Sequence, residues 1–209
     1  MGFTEFGELS KKMYEKSNVV IYKRPEEKPE ELIVNVYGII EKAEFEIGNC
    51  FSAHYQITYG NDWSLINGQL SGDSHQACQG ENQSNFFVWN FPFEFALKTK
   101  DPTGWPQIAI SITGPDFLGR DIIKAYSICR IPTTSGPHVR TLQAFSPLSS
   151  NILDQLSQIL YGAKVELIDI EKTLSNCDGR EILRTEYEGS ITVRFNVKIE
   201  NMQELGYNE

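Results

Sequence analysis

The chain has 209 residues, 40% of them hydrophobic and 11% aromatic, enough to bury one substantial core within a single domain. Its formal charge of −9 argues against nonspecific nucleic-acid binding, which needs a clustered basic face. No apolar run approaches the roughly 18 residues of a membrane-spanning helix, and the opening MGFTEFGELSKK lacks the basic-then-apolar order of a secretory signal, so a cytoplasmic protein is expected.

Residues 1–31 read as an extension. A short helix is expected around Glu8 to Lys16, followed by the linker RPEEKPEE with its two prolines and mixed charges. Gly2 invites myristoylation, but Phe6 stands where that motif wants Ser or Thr. A domain over residues 32–207 follows. Strands are predicted at Leu32 to Ile40, Phe51 to Tyr59, Phe86 to Phe91, Phe93 to Lys98, Ile108 to Thr113, Ile122 to Ile131, Val139 to Phe145 and Ser190 to Ile199. The polar, glycine-dotted stretch from Asn61 to Ser84 reads as a long loop.

The pattern is sharpest in two places. Phe91, Phe93, Phe95 and Leu97 share one parity while Glu94 and Lys98 take the other, the period of a strand with one buried face. Ile191, Val193, Phe195, Val197 and Ile199 alternate in the same way with Thr192, Arg194, Asn196 and Lys198. Between strands, Asp101, Pro102, Thr103 and Gly104 form a turn cluster. Trp105 follows, expected in the core, with an exposed partner anchor as the alternative. One helix is expected late, between Ser150 and Tyr161, where Ile152, Leu153, Leu156, Ile159 and Leu160 fall at helical spacing and Gly162 can end it.

Chemistry is reached by elimination. There is no G-x-S-x-G elbow, no phosphate-binding loop and no cysteine in a recognisable reactive motif, so no enzyme is expected. Cys50 with His54 and His75 with Cys78 make a loose set of zinc-type ligands. Structural zinc uses tighter spacing, so these read as unrelated core or loop residues. The four cysteines lack the regular spacing of a disulfide framework and read as reduced thiols. Asp62, Asp101, Asp116 and Asp121 are too few and too scattered for a calcium cluster, and Asp116 reads as a turn residue bonding its own backbone. No cofactor or metal is expected.

Charge is uneven. Residues 96–164 carry seven basic and four acidic side chains, the one block with a positive balance. Its Arg120, Lys124 and Arg140, together with Trp105 and Asp116, are the candidate contacts for a partner or for anionic lipid.

The motifs VWNFP, DPTGWPQI, ITGPDFLGRD and IP followed by SGPHVRT, with SPLSSNILDQLSQILYG and SITVRFNVKIENMQELGY further on, resemble the B9-domain family of ciliary proteins from about Leu32 to Tyr207. The resemblance implies an all-β, C2-like antiparallel β-sandwich, here of about eight strands with one inserted helix. It also implies a non-enzymatic scaffold at the ciliary base, transition zone and basal body, supporting ciliogenesis and the barrier to membrane-protein entry. The implied partners are the two other B9-domain proteins and further transition-zone proteins, with an anionic membrane surface as the alternative.

Overall fold

The computed structural model describes residues 30–46, 48, 50–79, 85–116, 118–147 and 185–207. Among them ten strands form one curled antiparallel sheet: β1 (Leu32–Phe45), β2 (Cys50–Thr58), β3 (Trp63–Gly68), β4 (Ser71–Asp73), β5 (Ala77–Cys78), β6 (Phe86–Thr99), β7 (Gln107–Pro115), β8 (Asp121–Arg130), β9 (Gly136–Pro147) and β10 (Thr185–Glu200). The strand order is β3-β6-β1-β10-β9-β8-β7-β2-β4, with β5 also on β2. Between β9 and β8 the ladder shrinks to the single pair Tyr126 and Phe145. There the sheet folds over into two facing layers, β3-β6-β1-β10-β9 and β8-β7-β2-β4.

Aromatic rings fix the layers against each other. Phe51 on β2 meets Phe87 on β6 at 4.7 Å and Phe45 on β1 at 4.9 Å, and Tyr55 on β2 meets Phe93 on β6 at 5.3 Å. These contacts join strands far apart in the sheet order, so they are contacts across the sandwich. The indole of Trp89 adds a hydrogen bond to the Phe51 carbonyl, 3.0 Å away. Val34, Leu97, Ile110, Ile112 and Val193 lie between, fully buried, as the alternation of their strands demands.

Several expectations need correction. The two strands predicted from Phe86 to Lys98 are one strand with a bulge. Ile40 pairs with Phe91 and Lys42 with Val88, so Trp89 and Asn90 oppose the single residue Glu41, and Asn90 takes a φ of 46°. Glu41 is itself an extra residue against β10, which moves the inward set of β1 from Val34, Val36 and Ile40 to Ala43 and Phe45. The stretch from Asn61 to Ser84 is no featureless loop, since it contains β3, β4 and β5. These are short strands with few buried positions, which is why composition alone reads them as loop. After β3 the chain crosses from one layer to the other, the Gln69 amide bonding the Glu94 carbonyl and the Leu70 carbonyl accepting from Ile57. The strand count of about eight is therefore too low for the described residues.

β7 is buried on both faces: Ile108, Ile110 and Ile112 enter the main core while Ala109 and Ser111 are covered on the opposite side. Ala109 and Tyr126 form a second small cluster with Ile123, Ile128 and Phe145. The expected helices at Glu8 to Lys16 and at Ser150 to Tyr161 lie outside the described residues. Of the extension, Glu30 and Glu31 are described, and they pair with Lys100 and Lys98 at 3.2 and 2.9 Å.

Candidate docking surfaces

Trp105 belongs to the interior. It is 9% exposed, its indole donates to the Ile131 carbonyl at 2.8 Å, and its ring meets Trp63 edge-on at 5.3 Å. Trp63 in turn donates to the Thr103 carbonyl at 3.0 Å. As a partner anchor Trp105 has almost no surface to offer, which corrects its inclusion among the contact candidates. The physical reason is that an indole buries both its area and its N–H where a strand begins beside a carbonyl.

Asp116 and Arg120 form one unit. The Asp116 carboxylate accepts the backbone amides of Leu118 and Arg120, each at 2.8 Å, and the Arg120 Nε, also at 2.8 Å. Its own amide donates to the Arg120 carbonyl, while the Gly119 amide donates back to the Asp116 carbonyl, with Gly119 at a φ of +77°. Enclosure by the loop pushes the Asp116 pKa up, but the Arg120 and Leu118 amides and the Arg120 guanidinium outweigh it and hold the carboxyl below its ordinary value. The side chain is wrapped by its own loop and has no exposed surface, whereas Arg120 keeps 57% of its side chain exposed. Arg120 is thus first a loop clasp, and only its outer face is left for a partner.

Arg140 stands exposed on β9 opposite Val193, and Lys124 is half-buried on β8. In the positive block, Lys98, Lys100 and Arg120 are matched by Glu31, Glu30 and Asp116. That local neutralisation weakens any field the block casts on an anionic surface.

Five of the residues weighed for metal, Cys50, His54, Cys78, Asp101 and Asp116, are engaged elsewhere. Cys50 and Cys78 are joined as a disulfide across β2 and β5, their Cα atoms 3.9 Å apart, which corrects the expectation of reduced thiols for these two, while Cys129 is free as expected and Cys177 lies outside the described residues. The antiparallel register of a two-residue strand sets them opposite each other, and nothing in a spacing of 28 announces it. His54 bonds Asp73 at 2.7 Å, and Asp101 caps its own turn through the Thr103 amide and hydroxyl. Among the described residues no three His, Cys, Asp or Glu side chains converge.

The uncovered edge of β6 is defended. Beyond Gly68, β3 no longer covers β6, and the uncovered part of β6 carries the Asn90 bulge and Pro92, both of which interrupt a ladder. The outward face of β3, β6, β1 and β10 is more open. There Asn67, Ala96, Asn35 and Lys198 lie in one row, and Glu94, Tyr37 and Asn196 in the next. They line a shallow groove of about 300 Å³. A second hollow of about 490 Å³, lined by Tyr55, Phe91 and Pro92, meets it at Tyr37, Gly68 and Glu94. The candidate residues chosen for charge and turn position missed this face. The outward parity of Asn35, Tyr37 and Glu94 was the available signal.

The model of the family described as ciliary basal body-associated B9 protein matches residues 34–198. B9 domain-containing protein 1 of Xenopus laevis is 37% identical over 180 residues, 86% of this chain and 90% of that protein. The human protein of the same name is 33% identical, covering 86% and 88%. Human B9 domain-containing protein 2 is 25% identical over 174 residues, covering 83% and 97%. Among solved structures, a C2 domain of plant extended synaptotagmin 1 aligns with a TM-score of 0.40 at 14% identity, over 79% of this chain and 93% of that one.

Proposed function

Because the chain belongs to the ciliary basal body-associated B9 family, we propose that it is a non-enzymatic scaffold subunit at the transition zone of the ciliary base, built on a C2-like sandwich. In this role it joins the two other B9-domain proteins and further transition-zone proteins, and supports ciliogenesis and the barrier to membrane-protein entry. The observation that carries the reading is the extent of the family match, which runs from Val34 in β1 to Lys198 in β10. The state of the reactive side chains supports it further. His54, Asp101, Asp116, Cys50 and Cys78 each hold a piece of the fold together.

A scaffold acts through surface, and a stable interface usually buries about 1,200 to 2,000 Å² around a few anchors. Arg140, the outer face of Arg120 and Lys124 are the basic candidates for such contacts. The test is expression of the tagged protein in ciliated cells. Concentration at the ciliary base and co-purification with the other B9-domain proteins are expected, with Arg140→Glu weakening one contact at an unchanged melting temperature. Uniform distribution together with no recovery of either relative sinks the scaffold reading. Flotation with anionic vesicles, with and without calcium, separates it from the lipid-binding alternative, which the local pairing of Lys98, Lys100 and Arg120 disfavours.

A further inference from the structure

The groove on the outward face of β1, β3, β6 and β10 has a built chemistry. Asn67 and Asn35 flank Ala96 at a separation of two strands, about 10 Å, which matches about three residues of extended chain. Ala96 is small and makes the floor. A primary amide presents both a donor and an acceptor, the complement of a peptide group, and Asn196 adds a third in the neighbouring row.

Charge decides what lies there. Lys198 is neutralised by Glu200 at 2.7 Å and Arg194 by Glu41 at 2.6 Å. Glu94 is exposed at the junction of the two hollows, and no described side chain pairs with it. The uncompensated charge of the groove is therefore a carboxylate, which disfavours phosphate and anionic lipid. Tyr37 pairs with Glu94 across β1 and β6, and its ring is 49% exposed, an aromatic face beside the carboxylate for a cation. The second hollow adds the apolar side chains Phe91 and Pro92.

We propose that this groove binds an extended polypeptide segment of a partner protein, with its main chain on the Asn35, Asn67 and Asn196 amides, an Arg or Lys side chain on Glu94, and a neighbouring apolar side chain against Phe91 and Pro92. Docking is by the sheet face, because the Asn90 bulge and Pro92 bar strand addition to the uncovered edge of β6. The proposal deepens the scaffold reading by naming one of its contact surfaces.

The experiment is selection of random 12-residue displayed peptides on the purified full-length protein. The expected result is convergence on one basic position with an apolar residue close by. A synthetic peptide of that sequence is expected to lose about five- to tenfold in affinity on Glu94→Gln. Selection on Glu94→Lys is expected to return Asp or Glu at the same position, and Ala96→Arg, which fills the floor, to abolish binding. Glu94 is exposed, so its variants keep the parental melting curve and test the site even where Ala96→Arg disturbs folding. No convergent sequence, or a motif whose charge does not follow residue 94, overturns the groove and leaves the scaffold reading standing. Diffuse distribution in cells with a convergent motif does the reverse.

Discussion

At the end of the sandwich where β6 passes to β7, the connections bond to one another around two buried indoles; at the end where β7 passes to β8, the turn between those strands is closed on itself. The first end holds Trp63 against Trp105, the Gly60 amide on the Gly104 carbonyl at 2.8 Å, the Ile131 amide on the Pro106 carbonyl and the Asn201 side chain on the Glu31 carbonyl. Five segments distant in sequence converge there. The second end holds the Asp116 clasp, five residues long, and the Cys50–Cys78 bridge. Similar turn residues, Asp-Pro-Thr-Gly and Gly-Pro-Asp, thus close two ends in different ways. The lesson is that turn chemistry fixes the local bend, while the aromatic residue that follows it, Trp105, decides whether the turn also joins the core.

The largest effect is expected at the first end. Trp105→Ala removes a buried indole and leaves the Ile131 carbonyl without its donor, at a cost of about 3 to 5 kcal/mol. Chemical denaturation measures it, and a variant as stable as the parent breaks the contrast between the ends. Next comes the bridge. Cys50→Ser with Cys78→Ser is expected to destabilise by about 2 to 4 kcal/mol, the loss for a loop of this length. Alkylation before and after reduction, read by intact mass, establishes whether two thiols are released, and a reduced protein with an unchanged melt removes the bridge from the account of the second end.

Glycine substitution sharpens the comparison directly. Gly104 has a φ of +72°, and a Cβ there comes within 2.6 Å of the Gly60 backbone, whereas Gly119 has a φ of +77° with open space around it. Gly104→Ala is expected to cost about 2 to 3 kcal/mol and Gly119→Ala about 1. Equal costs in the two melts indicate that the first end relaxes and is not locked by its backbone contact.

The smallest effect belongs to the clasp. Asp116 has a folded pKa below its unfolded value near 3.8, so its contribution is complete above that value and is lost as pH falls through the folded pKa. The protection of the Leu118 and Arg120 amides, their exchange rates relative to the intrinsic rate at each pH, is expected to hold above pH 4, to fall in acid, and to be low at all pH in Asp116→Ala, while the global melt barely moves. Protection that ignores pH, or a melt that falls as far as that of Trp105→Ala, places the clasp in the core's cooperative unit.

Much of the sandwich was legible in the chain because a strand with one buried face must alternate. Phe93, Phe95 and Leu97 on β6, and Ile191, Val193, Phe195 and Val197 on β10, point inward as their parity requires. Local turn chemistry was equally readable, since Asp116 and Asp101 bond their own loops through a few neighbouring residues. The tertiary structure alone decided what depends on pairing between distant segments. Asn90 and Glu41 are ordinary residues in the sequence, yet together they shift the inward face of β1. Cys50 meets Cys78 only because β5 pairs with β2, and Asn35, Asn67 and Asn196 share one groove only because β3, β6, β1 and β10 are neighbours in that order and in register. Alternation is a property of neighbours along the chain, but register is a property of two chains of residues meeting in space, and no single segment carries it.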